Sequence, residues 1–426
     1  VLCLLEGLYK GSDRVLQALV LANVGLLALM SWQYRDGRAF FFSGGFWLTV
    51  NTTFYIVLKS LDLADNGMQE ELHAPLIAVI VFTSAYLLGR SWWRPGQWQA
   101  APTPQQSASL YSPRLVRWLL LSFVFFKLFH VVALQLTGAG GDTVLEIAQS
   151  TQNQGPGYLF RIEGLAYVSY LALLLVAYKT RKHVLLAAVL TLYLLIENVH
   201  HAARTAIVML LFVNLLCLHL YVRPVRIVLL ALLAPLLMFV IAFFGYVRDI
   251  EVGNFDVYVS AFHVFLDDLS LVLQLFMARL DMLPQIVNAF ELDQRGELAH
   301  LFGKSYLYMW LHAIPRTLWP DKPPLTAAYL TEQTHPAAFA DGVNLYPSII
   351  VEGMMNFGWF GIALMGLVIA RLTHSYERWL YSGQIARQVF ALTLLTFPMG
   401  LINEGLHSNN MAGLLYSAFL SCVWLW

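Results

Sequence analysis

The chain has 426 residues, of which 58% are hydrophobic and 12% charged, with a mean hydropathy of +0.62 and 26 basic against 26 acidic residues. That composition excludes a soluble globular protein, and the zero net charge gives no ground for a nucleic-acid partner; it describes an all-α polytopic membrane protein. Cys3, Cys217 and Cys422 stand in apolar stretches without CxxC or Cys/His spacing, which argues against a disulfide framework and a structural zinc site.

Crossing a hydrocarbon core of about 30 Å takes roughly 20 apolar residues per helix. In chain order, spans are predicted at 13–32, 39–58, 74–89, 116–136, 160–178, 184–200, 205–221, 227–246, 347–370, 385–402 and 409–426. These make eleven transmembrane helices, or twelve if one precedes Val1, which is not a Met and opens no recognisable cleavable leader. Arg35/Arg38, Arg90/Arg94/Arg114/Arg117, Lys179/Arg181/Lys182, Arg223/Arg226 and Arg371/Arg378 occupy every second connection, and the positive-inside rule places those connections in the cytoplasm. The connections at 59–73, 137–159, 200–204, 247–346 and 403–408 then face outward. Three regions follow: an N-terminal bundle of eight helices over 1–246, a large outer loop over 247–346, and three C-terminal helices over 347–426.

The outer loop carries twelve Asp/Glu against six Lys/Arg. Within it, 257–280 is apolar enough to resemble a span, but Asp267 and Asp268 at its middle would be costly in lipid, and a crossing there would invert every later connection. One or two amphipathic helices at the outer interface fit better. The stretch 301–313 reads similarly, and the run WPDKPP at 319–324 excludes regular helix, because proline removes amide donors and restricts the residue before it.

Basic residues at the outward ends oppose the general inward bias and are the main functional clue. In 313–323 three prolines fix the backbone around Arg316 and Lys322, a stiff cationic pair suited to a phosphate or pyrophosphate; the plainer reading pairs Arg316 with Asp321 at the headgroups. The elbow 197–205, ENVHHAART, places Arg204 at the start of a helix, with His201 beside it and Glu197 as its plain structural partner. Adjacent histidines lack the i,i+4 spacing of metal ligands on a helix. Arg161 and Glu163 follow the turn 155–158, Arg248 closes the helix ending at Tyr246, and Lys127 and His130 lie one turn apart inside the fourth span. Glu352 opens the ninth helix, where a carboxylate complements the helix dipole and, beside cations, could also act as a general base. Asp62 and Asp65, with Glu70 and Glu71, read as a solvated acidic loop rather than a metal site. Together these cations point to an anionic, lipid-linked substrate.

At these residues the chain resembles the Wzy-type O-antigen and oligosaccharide repeat-unit polymerases. The resemblance is carried by IPRTLWPDKP at 314–323, EGMMNFGWFG at 352–361 and HHAARTA at 200–206, on a layout of many helices with one dominant outer loop. It implies a GT-C-like transferase related to the O-antigen ligases, metal-independent and without cofactor, in the bacterial inner membrane with its site facing the periplasm. Its partners would be undecaprenyl-pyrophosphate-linked donor and acceptor, membrane lipid, a chain-length regulator and other polysaccharide-assembly proteins. Under that resemblance Glu352, His201, Arg204 and Arg316 are the catalytic set, with Glu352 and His201 both open as the base. Lys322, Arg161, Arg248, Glu163, Tyr346 and Asn356 would line the pyrophosphate and glycan. A ligase that transfers glycan to lipid A core shares the chemistry. A lipid-linked oligosaccharide flippase would need a midplane site and, as a rule, repeat symmetry, and no repeat is visible.

Overall fold

The computed structural model describes residues 14–33, 43–65, 68–93, 113–137, 164–200, 204–223, 225, 227–247, 255–278, 282–311, 319, 321, 323–324, 326–340, 345 and 347–395. Their regular structure is helical. The N-terminal bundle comprises α1 (Arg14–Gln33), α2 (Gly44–Thr52 continued through the π-helical stretch Thr53–Leu58 and Lys59–Asp65), α3 (His73–Trp92), α4 (Pro113–Thr137), α5 (Gly164–Thr180), α6 (Val184–His200), α7 (Arg204–Tyr221) and α8 (Ile227–Tyr246). Then come α9 (Phe255–Asp267), α10 (Leu269–Ala278), α11 (Leu283–Gln294), α12 (Lys304–Leu311), α13 (Thr326–Thr334), α14 (Pro336–Ala340), α15 (Ile349–Leu380) and α16 (Ile385–Thr393). Among the described residues, α3, α4 and α15 are long and apolar enough to cross a membrane, and α1, α5, α6, α7 and α8 contribute shorter apolar stretches. Most predicted spans thus fall on helices, whereas 409–426 lies outside the described residues.

Helical backbone satisfies its own polar groups, which a lipid environment demands. Hydroxyls in the apolar stretches do the same by returning to the preceding turn: Thr49 donates to the Gly45 carbonyl and Thr52 to that of Leu48, each at 2.8 Å. Ser43 caps α2 by accepting from the Phe46 amide at 3.1 Å.

The core is built on α3 and the later part of α15, which run parallel. Contacts step along both helices together, from Phe82 against Gly366 through Gly89 against Ala370 to Arg90 against Glu377. A Cβ on Gly366 would lie 2.4 Å from the Phe82 carbonyl oxygen, so only glycine permits this approach.

One end of the bundle gathers the basic connections. Arg90 and Glu377 form an ion pair at 2.8 Å with both side chains 3% exposed, and the Gly44 amide donates to the same carboxylate at 3.2 Å. Lys179 donates to the Gly383 carbonyl at 2.9 Å, and Arg181 to that of Tyr221 at 2.8 Å. The connections before α2, after α3, after α5, after α7 and after α15 therefore share one end, as the alternation of charge requires.

At the opposite end the apolar 257–280 stretch forms two helices, α9 and α10, bent by 106° between them. Asp268 makes the break and caps α10: the Ser270 hydroxyl and amide donate to its carboxylate at 2.6 and 2.9 Å, which holds the Asp268 pKa below the ordinary value. The pair packs across the far end of α8, with Phe265 against Phe239, Phe243 and Tyr246. Tyr258 reaches the Val199 carbonyl at the end of α6 at 3.4 Å. The stretch is therefore two helices bent at Asp268 rather than one continuous helix.

Candidate active site at a broken helix

The predicted span at 347–370 is not one continuous helix. Phe357 (φ −143°, ψ 24°) and Gly358 (φ 60°, ψ −145°) leave helical geometry and divide α15 into residues 349–356 and 359–380. The Gly358 conformation is one that side chains other than hydrogen resist. Residues eight apart in an unbroken helix stand about 12 Å apart along the axis; here Gly353 and Gly361 touch. A Cβ on Gly361 would lie 2.0 Å from the Gly353 carbonyl oxygen. The glycines of EGMMNFGWFG thus have separate tasks, Gly358 in the turn and Gly353 with Gly361 at the crossing.

The short helix is capped by Ser348, which accepts from the Val351 amide at 3.1 Å. Glu352 keeps the expected place in the first turn, but instead of opening a spanning helix at the surface it is 0% exposed. Burying an acid requires an ion pair or polar enclosure to offset its desolvation, and a buried acid beside a helix break is a candidate for function. One turn on, Asn356 ties three elements together. Its amide nitrogen donates to the Glu352 carbonyl and to Ser305 Oγ, each at 2.8 Å, and its oxygen accepts from the Gly303 amide at 2.9 Å. The Leu301 amide donates to the Met355 carbonyl at 2.8 Å, satisfying a backbone group in the last turn before the break.

These bonds seat α12 on the short helix and enclose the Tyr306 hydroxyl, which makes no hydrogen bond of good geometry. Its pKa is raised well above the ordinary tyrosine value, first by burial and then by the negative field of Glu352, against a smaller opposing pull from Asn356. The phenol therefore stays neutral across physiological pH. Around the cluster, Phe290 meets Trp359 at 5.6 Å between ring centroids. Helix α13 holds the flanking chain: Gln333 accepts from the Ala299 amide at 3.2 Å, and Thr331 from the Leu345 amide at 2.7 Å.

Of the residues selected from sequence, Glu352 and Asn356 are brought together here. Arg161, Glu163, His201, Arg248, Arg316, Lys322, Tyr346 and the side chain of Arg204 lie outside the described residues, as do the side chains of Asp62 and Asp65. The backbone of Arg204 opens α7, as expected. Glu197, read as a structural partner for Arg204, is engaged by Lys127 at 2.7 Å, joining α4 to α6. Ser305 and Tyr306 escape sequence reading, because they lie some fifty residues from Glu352 and only the fold brings them to it.

A family model described as O-antigen polysaccharide polymerase Wzy matches residues 26–400. No curated protein and no solved structure matches the chain.

Proposed function

The chain belongs to the O-antigen polysaccharide polymerase family, and from that premise we propose that it transfers a growing glycan from undecaprenyl pyrophosphate onto a fresh lipid-linked repeat unit at the periplasmic face of the bacterial inner membrane. The acceptor hydroxyl oxygen bonds to the anomeric carbon of the donor, the bond from that carbon to the pyrophosphate breaks, and undecaprenyl pyrophosphate departs. The hydroxyl proton passes to a base, which we assign to Glu352. The single observation that supports this assignment is the full burial of Glu352 beside a helix break, close enough to Tyr306 for its charge to act on the phenol, at the end of the bundle away from the basic connections.

Because the leaving group is already stable, the remaining demand is for cations that hold its charge as it develops. Arg204 and Arg316 fill that role, with Lys322, Arg161 and Arg248 on the pyrophosphate and Glu163, Tyr346 and Asn356 on the glycan side. Glu352 is fully covered, so the acceptor reaches it only when α12 parts from the short helix. No divalent metal takes part in this reading.

Purified protein in lipid nanodiscs, given only the lipid-linked repeat unit and an excess of chelator, should build a ladder of polymer on the lipid carrier. Extension that requires magnesium or manganese would remove the metal-independent route. Transfer that occurs only when lipid A core is supplied would make the protein a ligase.

A further inference from the structure

Residues 301–303 adopt a conformation that ordinary packing does not require. Phe302 has φ +47°, in the left-handed region that bulky side chains rarely enter, and Gly303 follows at +82°. The strain is imposed from both sides, by the Leu301 amide on the Met355 carbonyl at 2.8 Å and by the Gly303 amide on Asn356 at 2.9 Å. Its effect is to hold the Phe302 ring 74% exposed, with the His300 ring 6.1 Å away.

A ring left in the open gains nothing from burial, and glycine would adopt this backbone without strain. The neighbouring Arg295, Glu297 and Lys304 are exposed and charged, and Leu307 and Phe357 are exposed beside them, so the ring stands where charged and apolar surface meet, a setting suited to an amphipathic sugar. The base of the ring is fixed to the turn that carries Asn356 and, one turn earlier, Glu352. We infer that Phe302 is a stacking platform for a sugar ring of the lipid-linked repeat unit, held beside the site of transfer by the helix break. The C–H face of a pyranose is apolar and slightly positive, and it complements the electron-rich face of an aromatic ring. A ring that is rigid before binding loses little entropy on contact. The inference rests on the polymerase reading, from which it takes its substrate class.

The test uses full-length protein in nanodiscs and a fluorescent lipid-linked repeat unit, with free repeat-unit oligosaccharide and undecaprenyl pyrophosphate as separate competitors. Phe302→Gly should melt at or above the wild-type temperature, bind the repeat unit roughly tenfold more weakly, as loss of one aromatic stacking contact implies, and lose the same factor for free oligosaccharide. Its affinity for undecaprenyl pyrophosphate should be unchanged, and Phe302→Trp should restore sugar binding. Wild-type sugar affinity in Phe302→Gly overturns the platform. A loss confined to undecaprenyl pyrophosphate makes the ring a lipid anchor, and a large fall in melting temperature makes it structural; either result also overturns it. Glu352→Gln, measured alongside, should bind normally and fail only in turnover. If it turns over normally, the assignment of the base fails while the binding result at Phe302 still decides the platform.

Discussion

The two ends of the helical bundle place buried charge in different settings. At the basic end each buried charge is closed off by a close partner: Arg90 by Glu377, Glu377 by the Gly44 amide, and Lys179 by the Gly383 carbonyl. At the other end Glu352 is covered in the first turn of a short helix that breaks at Phe357 and Gly358, within the electrostatic reach of the buried Tyr306 hydroxyl. Full satisfaction is what a structural ion pair needs to overcome desolvation. Buried hydroxyls without a bond and non-glycine residues in the left-handed region occur at both ends, Tyr376, Arg181 and His183 at the basic one and Tyr306 and Phe302 at the other, so what sets the ends apart is a broken helix beside a buried acid.

The sharpest way to break this contrast is to exchange the behaviour of the two ends. Removing a cation from the proposed pyrophosphate site, as in Arg204→Ala, Arg316→Ala or Lys322→Ala, should lower the polymerisation rate roughly 100- to 1000-fold at unchanged protein level. Arg316→Lys should rescue poorly, since a point charge cannot replace a planar fork. Three active alanine variants would reduce these residues to headgroup anchors.

Next in size is the basic end. Arg90→Ala leaves Glu377 buried with its main counter-charge gone and should destabilise the fold by about 3–5 kcal/mol, read as a lowered melting temperature. The double variant Arg90→Met with Glu377→Leu should recover most of that loss and polymerise at the wild-type rate. A folded but inactive double variant would contradict the structural assignment of this end.

Gly361→Ala sharpens the same contrast from the other side. Its Cβ would meet the Gly353 carbonyl at 2.0 Å, a backbone contact that no side-chain rotation relieves. Overpacking of this kind costs about 1–3 kcal/mol, and here the crossing that positions Glu352 must open. Activity per folded molecule should fall, whereas Gly25→Ala, with open space around it, should change nothing.

How far the sequence foretells these features differs between the two ends. The span positions follow from hydropathy, and the clustering of basic connections follows from their alternation, because both are properties of local composition. The break in α15 is not foretold, since the apolar run continues through Phe357 and Gly358 and hydropathy is blind to backbone direction. The spacing of Gly353, Gly358 and Gly361 held the only local signal. Glu352 and Asn356 were legible as polar residues in an apolar motif, but Ser305 and Tyr306 were not, and neither was the Lys127–Glu197 pair, because each depends on a tertiary contact.

The smallest expected effect concerns Tyr306. A phenol whose pKa is raised on folding gives stability that is complete below the ordinary value of 10.0 and is lost as pH rises above it. Tyr306→Phe should therefore flatten the alkaline limb of the melting-temperature profile above pH 10 and leave the neutral limb nearly unchanged; an unaltered alkaline limb would mean that the phenol is not enclosed.

The most direct measurement of the central claim is turnover by Glu352→Gln, a substitution that keeps shape and hydrogen bonding but removes the base. The variant should reach wild-type abundance in the membrane and bind the lipid-linked repeat unit, while its polymerisation falls by about 100-fold or more. A normal polymer ladder from Glu352→Gln, together with an inactive His201→Asn, would contradict the account and move the base to the elbow before α7.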